Sequence, residues 1–401
     1  MRSSQALHAI KANKSVGGNL LSVTDVATSS VMTMLITLLA AKCLSVAEFG
    51  AFGVLLLVAS LGQSVVQGAY CDVILRQQNP SYAIWAVLTD RVVGGSAFLI
   101  AGAGLLIAPA VPVVSWCLVG GAYLIGVSRT LIFRAAMVQL HKQILSLAAS
   151  LAALLAIAGL VAILPKPWHD QTLLVIVACC VMVHTMASHV AFAMRRREKI
   201  WSPRRERIWR WDYALESVIM LGVFQMVALI LTPRFGLNYA AGYRGSTLLL
   251  GLITLSYSAV QLVWMPRLAG MSRARRPHAV ASLLVLSSAA VYVIVAGLAL
   301  YYFGWTILGE SAGATSALYP FVAFGTLTQT CWFLAYIALR AKSLDRYVRE
   351  GRTVLVAGAV LAGAVGLISG LPKAYLALLG VSQLLAAIWA ALRVRRIGVA
   401  V

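Results

Sequence analysis

Residues 193–211 read AMRRREKIWSPRRERIWRW. Eight cations, Arg195, Arg196, Arg197, Lys199, Arg204, Arg205, Arg207 and Arg210, stand there against two glutamates, and long apolar runs flank the stretch on both sides. Around it lies a chain of 401 residues, 61% hydrophobic and 11% charged, with a mean hydropathy of +0.88. A soluble domain of that size would have to expose apolar surface to water to carry such a composition. The chain is therefore read as a membrane protein. Its one crowded charge cluster becomes a connector at headgroup depth between two blocks of spans, with Trp201, Trp209 and Trp211 as interfacial anchors.

Working outward from the connector, a hydrocarbon core of ~30 Å is crossed by about twenty apolar residues in a helix, because only closed hydrogen bonding satisfies the backbone there. That rule predicts spans near 20–41, 49–74, 83–107, 113–140, 144–164 and 172–194 before it, and near 213–231, 239–265, 279–303, 317–339, 353–371 and 374–392 after it. The expected fold class is all-α: a polytopic membrane protein with 12 transmembrane helices in two pseudo-symmetric six-helix lobes, residues 1–195 and 212–401, joined by 196–211. Of the 33 lysines and arginines, 26 fall on one side of this tiling and 4 on the other, with Arg134 and Lys142 assigned to the loop after the fourth span. Cations near span ends stay in the cytoplasm during insertion, so both termini are expected there, in a multi-pass protein of the cytoplasmic (inner) membrane. The basic opening MRSSQALHAIKANKS leads into a retained first span and not a cleaved signal peptide. Sliding residues 20–76 by 191 positions lays Asp25 on Glu216, Phe52 on Tyr243 and Arg76 on Arg267. The halves are thus read as parallel repeats.

Several functions are excluded by what is missing. A net charge of +21 suggests nucleic acid, but no folded polar domain is present to carry it, so anionic membrane lipids are the expected partners of the basic loops. The outward loops are too short for a catalytic domain, and there is no Walker glycine loop, Asp-x-Asp pair or His-x-x-x-His. No enzyme, catalytic residue or metal site is expected. His184 and His189 are five apart, on different helix faces, and the six cysteines, with no C-x-x-C, read as thiols.

Function is therefore sought among charges inside the spans, where each costs a few kcal/mol and faces protein or water. Arg91, Arg129 and Arg244 are the candidate substrate-binding residues, since a guanidinium pairs bidentately with phosphate oxygens and keeps its charge. The competing readings are a local pair of Arg91 with Asp90 or Asp25, and an Arg129 that snorkels to the headgroups. Asp25 and Glu216 are the candidate ion-coupling residues, for Na⁺ or H⁺; their plainer role is to neutralise nearby arginines. No cofactor beyond such an ion is expected.

Two segments carry a resemblance. LLAAKCLSVAEFGAFGVLLLVASLGQSVVQGAYCDVILRQ, residues 38–77, resembles the first turn of the polysaccharide-repeat-unit (Wzx-type) flippases of the multidrug/oligosaccharidyl-lipid/polysaccharide exporter superfamily, with its Leu-Ser and Glu-Phe-Gly. LNYAAGYRGSTLLLGLITLSYSAVQLVWMPRLAG, residues 237–270, is similar to that family's eighth span, with its Gly-Tyr-Arg opening and a closing Pro. The resemblance implies two six-helix lobes around a cationic cavity, to which Arg129 and Arg244 belong by segment and Arg91 by depth. It also implies alternating-access transport of an undecaprenyl-diphosphate-linked oligosaccharide for O-antigen or exopolysaccharide assembly, with other polysaccharide assembly proteins as further partners. The alternatives are an ion-coupled multidrug-type exporter of the same superfamily, for which Asp25 is the positional echo, and a membrane enzyme of polysaccharide assembly.

Overall fold

The structure, a computed structural model, describes residues 2–66, 71, 112–140, 142–163, 223–253, 256–257, 275–341 and 344–396, with isolated residues between 176 and 190. The main helices are α1 (Arg2–Cys43), α2 (Val46–Val66), α3 (Pro112–Gln139), α4 (Gln143–Ile163), α5 (Val223–Phe235), α6 (Leu237–Leu249), α7 (Arg275–Leu308), α8 (Ala312–Ala341), α9 (Asp345–Ser369) and α10 (Pro372–Arg396). No strand occurs among the described residues. Among the described residues, six stretches are long and apolar enough to cross a membrane, and one of them, Ser282–Leu339, holds both α7 and α8, joined by the 3-10 turn Gly309–Ser311. The chain is an all-α, multi-pass membrane protein. Arg91, Glu216, the basic connector and the repeat partners Arg76 and Arg267 lie outside the described residues.

The first span looks too polar to enter lipid, with Thr24, Asp25, Thr28, Ser29, Ser30 and Thr33 in one run. Its hydroxyls solve this locally. Thr24, Thr28 and Ser30 each donate to the carbonyl four residues back at 2.9 Å, and Thr33 does so at 3.2 Å, so no hydroxyl in that ladder faces hydrocarbon unpaired. The eighth predicted span, 239–265, is broken: α6 stops at Leu249, Leu250 makes a turn beside Gly251, and helix resumes at 251–253. The outward surface is apolar, as lipid demands. Leu155, Ile163 and Ile368 are 70%, 81% and 84% exposed, and Tyr301, Tyr302, Phe303 and Trp305 crowd the end of α7 as an interfacial aromatic group.

Two compact units divide the chain. Unit 1 takes residues 1–36 and 58–222; unit 2 takes 37–57 and 223–401, so the turn between α1 and α2 belongs with the second. The core of unit 1 gathers Ile132, Phe133, Ala136 and Met137 of α3 with Ala149 of α4 and Cys71. In unit 2, α10 packs along α8 and α9, and α8 along α6 and α7. Small residues set these distances: a side chain on Gly358 of α9 would collide with Ser382 of α10, and one on Gly242 of α6 with the Ala314 carbonyl of α8. The glycine series of α9 thus serves close helix packing. A buried hydrogen bond from Thr328 to Gln383 at 2.9 Å adds a polar tie between α8 and α10.

Candidate functional site

In unit 1, Asp25 lies in mid-α1 with 1% of its surface exposed. A carboxylate so placed needs donors, and α3 and α4 supply them. Arg134 Nε donates to Oδ2 at 2.8 Å and its Nη2 to Oδ1 at 3.5 Å; Ser146 donates to Oδ2 at 2.6 Å and Ser150 to Oδ1 at 2.5 Å. Ser146 and Ser150 are four apart on α4 and therefore present their hydroxyls from one face. Arg134, expected in a loop, is instead a helical residue near the end of α3 with a side chain 15% exposed, and it is the ion-pair partner of Asp25.

One turn and a half earlier on α3, Arg129 is fully buried at 0% exposure, so it does not snorkel to the surface. Its Nη1 donates to the carbonyl of His184 at 3.4 Å. Thr130 donates to the Gly126 carbonyl at 3.0 Å and lies 3.3 Å from His184 Nδ1, and His184 is itself 3% exposed. Sequence reading weighed His184 only as a metal ligand and passed over Thr130, Ser146 and Ser150. The only advance signal was the i, i+4 serine pair, which apolar neighbours made look like packing.

In unit 2 the two segments that carry the resemblance meet. The turn Leu44–Gly50 begins α2 with a capping box: Glu48 accepts from the Ser45 amide at 2.9 Å and from its hydroxyl at 2.7 Å, while the Glu48 amide reaches back to Ser45 Oγ at 3.4 Å. Phe49 is buried at 0% exposure, and Gly50 lets the α2 backbone approach the Leu237 carbonyl, where any Cβ would collide. Leu237 starts α6 directly after Gly236, whose φ of +82° makes the joint from α5 a single residue. One turn on, a Cβ at Gly53 would stand 3.2 Å from Arg244 Cβ, and Arg244 Nη2 donates to Thr37 of α1 at 3.2 Å. Gly245, next to Arg244, has no room for a side chain beside Thr315 of α8. The Gly242-Tyr243-Arg244-Gly245 stretch is therefore a clamp: glycines draw α6 against α2 and α8, and the part-buried guanidinium between them is held by a threonine.

Among the described residues, no three His, Cys, Asp or Glu side chains gather as a metal site. Away from the helix ends, the described charges with little exposure are Arg129, Arg134, Arg244 and Arg352, the last buried two turns into α9, against one carboxylate, Asp25. Glu48, Glu310, Asp345 and Glu350 lie near helix ends.

The sequence matches no family profile and no curated protein. Its fold does have solved counterparts. A mutant of the Vibrio cholerae MATE transporter VcmN superposes with a TM-score of 0.58 at 12% identity over 99% of both chains. An outward-facing multidrug resistance MATE family transporter of the MOP superfamily gives 0.58 at 11% identity, and a MOP superfamily transporter from Pyrococcus furiosus 0.54 at 11%, each over 96% of both chains. The fold of this chain is that of the MATE transporters of the MOP superfamily.

Proposed function

We propose that the chain is a flippase that carries an undecaprenyl-diphosphate-linked oligosaccharide repeat unit across the cytoplasmic membrane by alternating access, for O-antigen or exopolysaccharide assembly. The observation that carries this reading is the sign of the charge in the helix interiors: among the described residues, four guanidiniums, Arg129, Arg134, Arg244 and Arg352, stand against Asp25. Asp25 is matched by Arg134 and the two serines, so the excess is positive and suits an anionic cargo. Arg134 is engaged by Asp25, and Arg244, which is also part-exposed, takes the diphosphate through charge-assisted hydrogen bonds. Arg129 and Arg91 complete the cationic set. Within this fold pocket polarity tracks function elsewhere: reverse polarity of the binding pocket suggests a different function for the Pyrococcus furiosus MOP transporter.

The test is leaflet exchange of a fluorescent polyprenyl-diphosphate oligosaccharide in proteoliposomes. Arg244→Ala lowers the exchange rate by about tenfold or more at equal reconstituted protein, and Arg244→Lys keeps part of it. Exchange at the wild-type rate in the alanine variant overturns the reading.

The second reading, an ion-coupled multidrug-type exporter, is favoured by the buried carboxylate Asp25 in α1 and by the multidrug resistance transporters that share the fold. It requires the same proteoliposomes to move a lipophilic cation in exchange for Na⁺ or H⁺ that runs down an imposed gradient, with Asp25 and Glu216 as ion carriers. Gradient-independent, lipid-specific exchange sets it aside.

A further inference from the structure

The helix α10 ends on Leu-Arg-Val-Arg-Arg, residues 392–396, at the end of unit 2 that the charge count assigns to the cytoplasm. Arg393 is seated there on two rings. Its guanidinium carbon stands 5.4 Å from the centre of the Trp389 ring, one turn back on α10, and 6.0 Å from that of Tyr347, near the start of α9. The rings themselves lie 6.4 Å apart at 49°. Gly351 of α9 fixes the seat: a Cβ there would stand 3.3 Å from Trp389 and 2.5 Å from Trp332 of α8, so both indoles press against the bare α9 backbone. Arg393 is therefore held between α9 and α10 and does not swing as an ordinary surface arginine would.

An aromatic face attracts a cation but gives the N–H donors of a guanidinium no oxygen acceptor. Among the described residues no carboxylate pairs with Arg393, and Glu350 of α9 is taken by Arg346 at 3.0 Å. What meets Arg393 from outside follows from the surface beside it. Leu378, Val381, Leu385, Ile388 and Leu392 are exposed and spaced three and four apart, so they form one apolar face of α10. That face runs ~21 Å at ~1.5 Å per residue, longer than the ~15 Å of hydrocarbon in one leaflet. Trp389 and Arg393 each follow a member of it in sequence and stand at its edge. The surface thus offers an apolar stripe and then a seated guanidinium, in the order in which a phospholipid carries its acyl chain and its phosphate. A choline headgroup would bring its own cation to a helix end that already carries Arg393, Arg395 and Arg396, which favours a headgroup of net negative charge.

We propose that this end of α10 binds an anionic phospholipid of the inner leaflet, its phosphate on Arg393 and one acyl chain along the apolar face of residues 378–392, with Trp389 and Tyr347 as positioning residues. The site is independent of what the transporter carries.

The experiment titrates the purified full-length protein in detergent with phosphatidylglycerol, phosphatidylcholine and soluble glycerol 3-phosphate, and reads bound lipid by native mass spectrometry. The wild type is expected to take up phosphatidylglycerol at about tenfold lower concentration than phosphatidylcholine, and Arg393→Ala to lose that preference. Arg349→Ala keeps it, because that exposed arginine is two residues from Tyr347 and so on the far side of α9. Thermal unfolding without lipid verifies that the variants fold. Trp389→Leu keeps every charge and removes the seat, and it lowers the preference, an effect that diffuse attraction of cations for anionic lipid does not produce. A preference unchanged in Arg393→Ala, or lost equally in Arg349→Ala, overturns the site. Equal uptake of the two lipids by the wild type reduces α10 to an ordinary lipid-facing surface and overturns it as well. Displacement of phosphatidylglycerol by an equal concentration of glycerol 3-phosphate would make it a free-anion site and sink the lipid proposal.

Discussion

Asp25 is held by four donor contacts from three residues, which is unusual company for a side chain that could simply have been absent. Removing one partner of a buried ion pair strands the other, at a cost of about 3–5 kcal/mol, whereas replacing both by apolar residues recovers much of the loss. Arg134→Leu is therefore expected to lower unfolding stability by that amount, and Asp25→Leu/Arg134→Leu by clearly less, in a denaturant titration in detergent. Equal losses would mean that the carboxylate finds another counter-charge when Arg134 goes. Ser150→Ala removes one charge-assisted donor and is expected to cost about 1–3 kcal/mol by the same measurement. Reading the sequence singled out Asp25 but offered Arg91 as its partner, because both lie inside predicted spans. Arg134 was hidden by its nearness to a span end, where a cation is usually solvated.

The turn from α1 to α2 is where a short motif acquires a structural meaning. Leu44, Ser45, Glu48, Phe49 and Gly50 are respectively buried apolar contact, cap, cap partner, buried ring and close backbone approach to Leu237. Ser45→Ala is expected to cost about 1 kcal/mol through the lost cap. Gly50→Val drives a side chain into the Leu237 carbonyl and is expected to cost about 1–3 kcal/mol or more, with faster hydrogen exchange at the start of α6. Unchanged exchange at residues 237–241 would show that this approach is dispensable. The resemblance was legible in the sequence as a pattern of residue types; that the two patterned segments clamp each other was not, since they are nearly two hundred residues apart.

For the whole molecule, the charge asymmetry makes a geometric prediction. In a cysteine-free background, Arg234→Cys, at the joint of α5 and α6, is expected to react with a membrane-impermeant maleimide from outside intact cells. Arg349→Cys, exposed near the start of α9, reacts only after the membrane is opened. The reverse pattern would invert the topology. The two compact units do not follow the midpoint connector alone, because residues 37–57 join the second. No hydropathy reading marks that exchange.

What the sequence by itself determined is the solvent and the secondary structure: a membrane chain, helical throughout the described residues, with most described span ends close to where they were expected, the break at Leu250 and the early start of α9 at Asp345 apart, and an interior richer in guanidinium than carboxylate. Those properties are local, since hydropathy and backbone satisfaction are summed along one helix at a time. Only the tertiary structure decided that Asp25 belongs to Arg134 and two serines, that Arg129 lies against His184, and that Arg244 is held between α1 and α2. In lipid the outer and inner faces of a helix are both apolar, so periodicity does not say which face turns inward or which neighbour it meets. Pairing of that kind is settled by which small residues let two backbones approach, and that is a property of helices already side by side.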